Sequence, residues 1–225
     1  METITVERIA ERATATVTLA RPEKRNALSV ALRDEVTAAL ADLAADEAVR
    51  SVVITGSGAV FSAGFDLGEF TRAAADPEFH EQLWVSSDAF HHALLTFPLP
   101  LVAAVNGPAL AGGFDLAVCC DVRIASTAAR FAHPEFTFGD VVYSPLHEIV
   151  GGGVARDLTL TGRALDAEEA LAAGLVSEVV APDALDAAVA VTTERIATAP
   201  REHLLRTKAK AIARAGIALG PTLDL

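Results

Sequence analysis

Two short runs, "SVVITG" at 51–56 and "LVAAVNG" at 101–107, are apolar at nearly every position and end in glycine. A strand with one wet face alternates apolar and polar side chains. A run without that alternation belongs to a strand covered on both faces. "DVRIAS" at 121–126 reads as a third strand of this kind. Such strands need helices above and below them, which predicts an α/β protein with a largely parallel sheet.

The segments between these runs supply the helices. After Ser29, a suitable N-cap, Leu32, Val36, Leu40 and Leu43 recur at near-helical spacing. Residues 77–96 form a second helical stretch, and the Gly112–Gly113 pair opens a short buried one over 112–120. "TITVERIA" and "TATVTLA" alternate and read as an N-terminal hairpin. Further on, Asp166 and Glu169 have capping-box spacing and Gly174 marks a helix stop. From about 183 to 215 the pattern is helical, broken at Pro200. The expected organisation is a core over 1–180 and a smaller helical region over 181–225.

With 52% apolar residues in 225, the chain has ample material for a core. Its net charge of −12 argues against nucleic acid or an anionic membrane as partner. No apolar run approaches the ~20 residues of a membrane span. Cys119 and Cys120 are the only cysteines and sit side by side in an apolar run. That suits reduced, buried thiols and a cytoplasmic location. His91 and His92 are neighbours, and no ligand set has zinc spacing, so no metal is expected. Ser62 lacks triad partners, which excludes a serine hydrolase.

Three loops are expected at the carboxyl ends of the parallel strands, where α/β proteins bind ligands. "GAVFSAGFDLGEF" at 58–70 has small residues that let backbone approach a ligand. "NGPALAGGFDL" at 106–116 feeds into a helix, so the Gly112 and Gly113 amides lie at its start. Backbone donors from two such loops can make an oxyanion hole. "FAHPEFTFGD" at 131–140 sets Glu135 beside Pro134 among aromatic residues, where a carboxylate has a raised pKa. Asp115 is a carboxylate within an apolar stretch and needs a partner or a proton.

Five segments in consistent order resemble the crotonase, or enoyl-CoA hydratase/isomerase, superfamily over about residues 3–210. They are "RPEKRNALS", "FSAGFDL", "VNGPALAGGFDLAVCCDVRIAS", "FAHPEF" and "LTGRALDAEEALAAGLVSEVV". The resemblance implies a ββα spiral with a small helical C-terminal region, assembled as a homotrimer or a dimer of trimers. It implies an acyl-CoA thioester substrate, with coenzyme A part of that substrate and no separate cofactor. By position, the oxyanion donors are the N–H groups of Phe65 and Gly112, and the acid pair is Asp115 and Glu135. Lys24, Arg25, Ala27 and Ala63 fall where the family binds the CoA ester, as do Phe65, Asp66, Leu67 and Gly112. Asp66 also suits an N-cap.

The implied reaction is hydration of a trans-2-enoyl-CoA, with Glu135 as general acid/base and Asp115 holding the water. Double-bond isomerisation through Glu135, and acyl-CoA binding without turnover, remain as alternatives. Three departures from the family pattern bear on this. Asp115 stands where hydratases carry Glu, the segment 139–153 with Tyr143, His147 and Glu148 is rebuilt, and the C-terminal part is short.

Overall fold

The computed structural model describes residues 3–225. The two N-terminal segments pair as an antiparallel hairpin, β1 (Ile4–Ile9) and β2 (Thr14–Leu19), with Ile4 opposite Leu19. The chain continues through α1 (Val30–Ala45), β3 (Ser51–Gly56), α2 (Leu67–Ala73), α3 (Pro77–Leu95) and β4 (Leu101–Val105). The short strand β5 (Ala109–Leu110) leads into α4 (Gly112–Val118), then β6 (Val122–Ser126) and β7 (Arg130–Ala132). Next come α5 (Ser144–Thr161), β8 (Leu165–Asp166), α6 (Ala167–Ala172) and β9 (Glu178–Val180). Helices α7 (Leu185–Ala197) and α8 (Arg201–Ala215) follow.

The main sheet has the order β1-β2-β3-β4-β6-β9 and is parallel from β2 onward. A second sheet, β5-β7-β8, stands beside it. The unbroken apolar runs now have a physical account. Along β3 and β4, Val52, Ile54, Ala103 and Val105 join the large core with Leu32, Leu40, Phe90 and Leu116. The residues between them, Val53, Val102 and Ala104, join a second core with Leu185 and Val189 of α7. Alternate side chains of one strand thus fill two different cores, so neither register is polar. Helix α7 lies beyond residue 180, yet it covers one face of the sheet.

Helix α8 is anchored by charge. The buried Lys208 ammonium meets both oxygens of Asp121 at 2.5 Å, and Asp121 also accepts from the Leu101 amide at 2.8 Å. Ser29 caps α1 through the Leu32 amide, and Asp166 with Glu169 forms a capping box on α6. Helix α4 stops at Val118, two residues short of the expected end. The Arg123 guanidinium takes the Ala117 and Cys120 carbonyls there, which lets the chain turn at once into β6. Cys119 and Cys120 are free and buried, and burial pushes the Cys120 thiol up to about 12, so neither is poised to react. The divergent 139–153 segment runs into α5, which breaks at Gly151, where φ is 74°. Among the described residues no helix is long and apolar enough to cross a membrane.

Candidate active site

Two buried side chains, Asn26 and Ser62, hold the first loop. Asn26, fully buried and at φ 53°, donates through Nδ2 to the carbonyls of Ser57 (2.9 Å) and Val60 (2.7 Å). The Ser62 hydroxyl donates to the Asn26 carbonyl at 2.9 Å, and the Ser62 carbonyl accepts from the Leu110 amide at 2.9 Å. The Ala63 amide donates to Arg25 and the Leu28 amide to Gly64, so residues 25–28 run alongside 63–64. Removing the Asn26 amide takes the donor from two half-buried carbonyls and leaves a gap at a fully buried position. Asn26→Ala is therefore expected to cost about 2–4 kcal/mol, read as a lower urea midpoint at constant m-value.

The second loop touches the first through glycines. A Cβ on Gly64, whose φ is +86°, would lie 2.7 Å from Ala111 Cβ and 3.0 Å from the Gly112 nitrogen. One on Gly112 would lie 2.9 Å from the Phe65 ring. Ala111, which starts the turn into α4, holds φ 51° and ψ −133°, a conformation rarely adopted by a residue with a side chain. Among the described residues, neither the Phe65 amide nor the Gly112 amide donates to a protein acceptor. The fold therefore leaves two backbone donors free on adjacent loops, although backbone amides are normally paired.

Just under one turn along α4, Asp115 is 5% exposed, and its Oδ1 lies 2.9 Å from Nε2 of His133. His133 is the partner that the apolar setting of Asp115 demanded. Its ring is buried and stacks on Phe114, with centroids 4.6 Å apart. Two residues later, in the single turn Pro134–Thr137, Glu135 carries a buried Oε2 with no partner among the described residues. Donor atoms of Asp115, His133 and Glu135 all lie within 4.8 Å of one another. Burial, with Asp115 nearby, pushes the Glu135 carboxyl up to about 7. Burial opposes a charge on His133, but the hydrogen bond and charge of Asp115, with Glu135, outweigh it and raise its pKa. Seating a cation here would replace the Asp115–His133 hydrogen bond and require an unprotonated imidazole, so no metal is assigned.

The remaining positions separate into two groups. Ala27, Ala63 and Phe65 lie along the joined strands of loop, with Lys24 and Arg25 exposed at one end and Leu67 exposed at the other. Asp66 caps α2 through the Gly68 amide (3.1 Å) and pairs with Arg21 (3.0 Å), so its carboxylate is committed to the scaffold. Arg33 is fully buried beneath Phe65, 4.5 Å from the ring centroid, and donates to the carbonyls of Leu28 and Leu83. The Tyr143 and His147 rings lie tilted with centroids 5.5 Å apart and line a recess that neither Asp115 nor Glu135 borders. A cavity of about 250 Å3 opens past the C-terminal end of α4, lined in part by Val118, Cys119 and Ile149.

A spiral sheet with two loops touching through glycines and an acid pair beside them is the crotonase architecture. Residues 10–219 match the family model described as Enoyl-CoA hydratase/isomerase, and the chain belongs to that family. It is 42% identical over 212 residues to a "Putative enoyl-CoA hydratase" of Thermus thermophilus, covering 91% of this chain and 83% of that one. Among solved structures, an enoyl-CoA hydratase/isomerase from Xanthobacter autotrophicus Py2 superposes with TM-score 0.88 at 32% identity, covering 95% of this chain and 80% of that one. A monofunctional enoyl CoA isomerase from M. smegmatis superposes with TM-score 0.81 at 31% identity, covering 97% and 96%.

Proposed function

We propose that this protein hydrates a 2-enoyl-CoA. The observation that carries the reading is Glu135, whose carboxyl is pushed up to about 7 and lies within 4.8 Å of Asp115, itself three residues along α4 from the uncommitted Gly112 amide. The Phe65 and Gly112 amides receive the thioester oxygen and stabilise the enolate as it forms. Water held between the acids attacks C3 and gives a proton to Asp115, while Glu135 gives its proton to C2. One proton is taken and one given, so water adds whole. Exposed Lys24 and Arg25 meet the phosphates of the CoA moiety, whose negative charge suits them. The name of the Thermus relative agrees with this reading.

A second reading is supported by one observation: His133 already occupies one oxygen of Asp115. That leaves Glu135 able to move a proton between C2 and C4 alone, as a double-bond isomerase would.

The pH profile separates the two. Hydration starts with a proton on Glu135, so kcat/KM falls as pH rises through about 7. Dehydration consumes no net proton either, so it follows the same limb. Isomerisation starts with the Glu135 carboxylate, and its kcat/KM rises through the same range. The direct test is turnover of crotonyl-CoA and a medium-chain 2-enoyl-CoA in heavy-oxygen water. Labelled 3-hydroxyacyl-CoA is the expected product; unlabelled, unchanged ester together with conversion of a 3-enoyl-CoA would replace hydration by isomerisation.

A further inference from the structure

Two carboxyl groups this close repel one another if both ionise, and a buried site gives them little water for relief. The structure answers with an imidazole. His133 bonds to Asp115 at 2.9 Å, is clamped against Phe114, and is joined to Glu135 by a single residue, Pro134. We propose that His133 is a positioning residue that fixes the Asp115 carboxylate and supplies the positive charge that lets both carboxyl groups work side by side. The proposal rests on the reading of Asp115 and Glu135 as the reacting acid pair.

The shorter Asp in place of Glu is part of the same arrangement. With one oxygen held by His133, Asp115 presents its other oxygen to the reacting water, and rotation about its terminal bond is stopped. The Phe114 stack keeps the imidazole from following Asp115 if that carboxylate moves. The other titratable groups that act on this centre are His91 of α3 and Cys119 just past α4. Burial holds the His91 pKa down, and its Nδ1 donates to the Ser87 carbonyl, so it supplies no charge. Burial also keeps the Cys119 thiol protonated. Among the described residues that act on the acid pair, His133 is the one whose protonated form is favoured, by its hydrogen bond to Asp115 and the two nearby carboxyl groups, while its Nδ1 is buried without a partner.

Two substitutions divide the two roles. His133→Gln retains a donor for Asp115 and loses the charge; His133→Phe retains the stack on Phe114 and loses both. Turnover of the phenylalanine variant should drop by ~10²-fold, with KM within a few-fold, as expected for a misplaced reacting group. The glutamine variant should recover most of that loss. In both, Glu135 should titrate at higher pH than in the wild-type protein, because a positive neighbour has gone. Carbon-13 NMR of glutamate-labelled protein, with Glu135→Gln assigning the resonance, reads this shift without any turnover.

Wild-type titration of Glu135 in the glutamine variant overturns the proposal, as does wild-type turnover in a folded phenylalanine variant. If the phenylalanine variant does not fold, the glutamine variant decides the question through the NMR shift. If the wild-type protein turns over no enoyl-CoA, the functional reading fails, and the same shift still decides whether His133 sets the charge of the pair.

Discussion

Glu135→Gln is expected to abolish most turnover and, at alkaline pH, to make the protein more stable. Gln has nearly the volume and shape of Glu, so the turn at 134–137 and the neighbouring Asp115–His133 bond should persist. Loss of a positioned acid/base typically costs 10²–10⁴-fold in rate, and the upper part of that range applies where one group carries the C2 proton. Binding of a saturated acyl-CoA should stay within a few-fold of wild type, since the substituted amide keeps the site's shape and removes only the ionisable group. Calorimetric titration and initial rates on the same preparation check both statements. Wild-type rates would remove Glu135 from the mechanism.

The stability effect has a definite sign. Folding raises the Glu135 pKa from 4.5 to about 7, chiefly because burial disfavours the charge. Between those values the unfolded chain releases the proton while the folded protein keeps it, so stability falls as pH rises. A shift of that size corresponds to roughly 3 kcal/mol, and solvent at this partly open position reduces it to about 2. The Gln variant avoids this cost. Its unfolding free energy should match wild type at pH 4 and exceed it by about 2 kcal/mol at pH 8, measured by urea denaturation at each pH.

Gly64→Ala should damage the site through the backbone alone. Its φ of +86° disfavours any side chain, and the new methyl would press on Ala111 Cβ and on the Gly112 nitrogen. Strain and overpacking together should cost about 2–4 kcal/mol. The functional effect should be larger in proportion, because the methyl pushes the Gly112 amide off the position where the thioester oxygen is received. Loss of one such donor is worth about 10²–10³-fold in kcat. Gly174→Ala is the control. It also has positive φ, at +73°, but a methyl there meets nothing within 4 Å. It should lose a little stability and no activity, and if Gly64→Ala behaves the same way, the two amides do not form a working pair.

The layering of this protein is legible in its strands. Apolar side chains in both registers of 51–56 and 101–105 leave no wet face, and only a sheet covered on two sides satisfies them. Caps such as Ser29 and Asp166 are equally legible, because an N-cap and the amide it serves lie within three residues. The oxyanion loops and the twenty-residue spacing of Asp115 and Glu135 came from a resemblance in motif order, which places residues without saying what they touch. His133 stood in plain sight within "FAHPEF", yet nothing local marks it as the partner of a carboxylate eighteen residues earlier. The same holds for Asn26, whose carbonyl partners Ser57 and Val60 lie more than thirty positions along the chain, and for Arg33 beneath Phe65.

Local pattern determined the elements and the two-faced sheet, because those depend on periodicity and short-range hydrogen bonds. Only the tertiary structure decided which buried polar groups pair and how far each glycine lets two loops approach. It also decided that Asp115 does not stand alone. Those outcomes depend on ångström distances between segments far apart in sequence, and charge and hydrogen bonding respond to distance rather than to order along the chain.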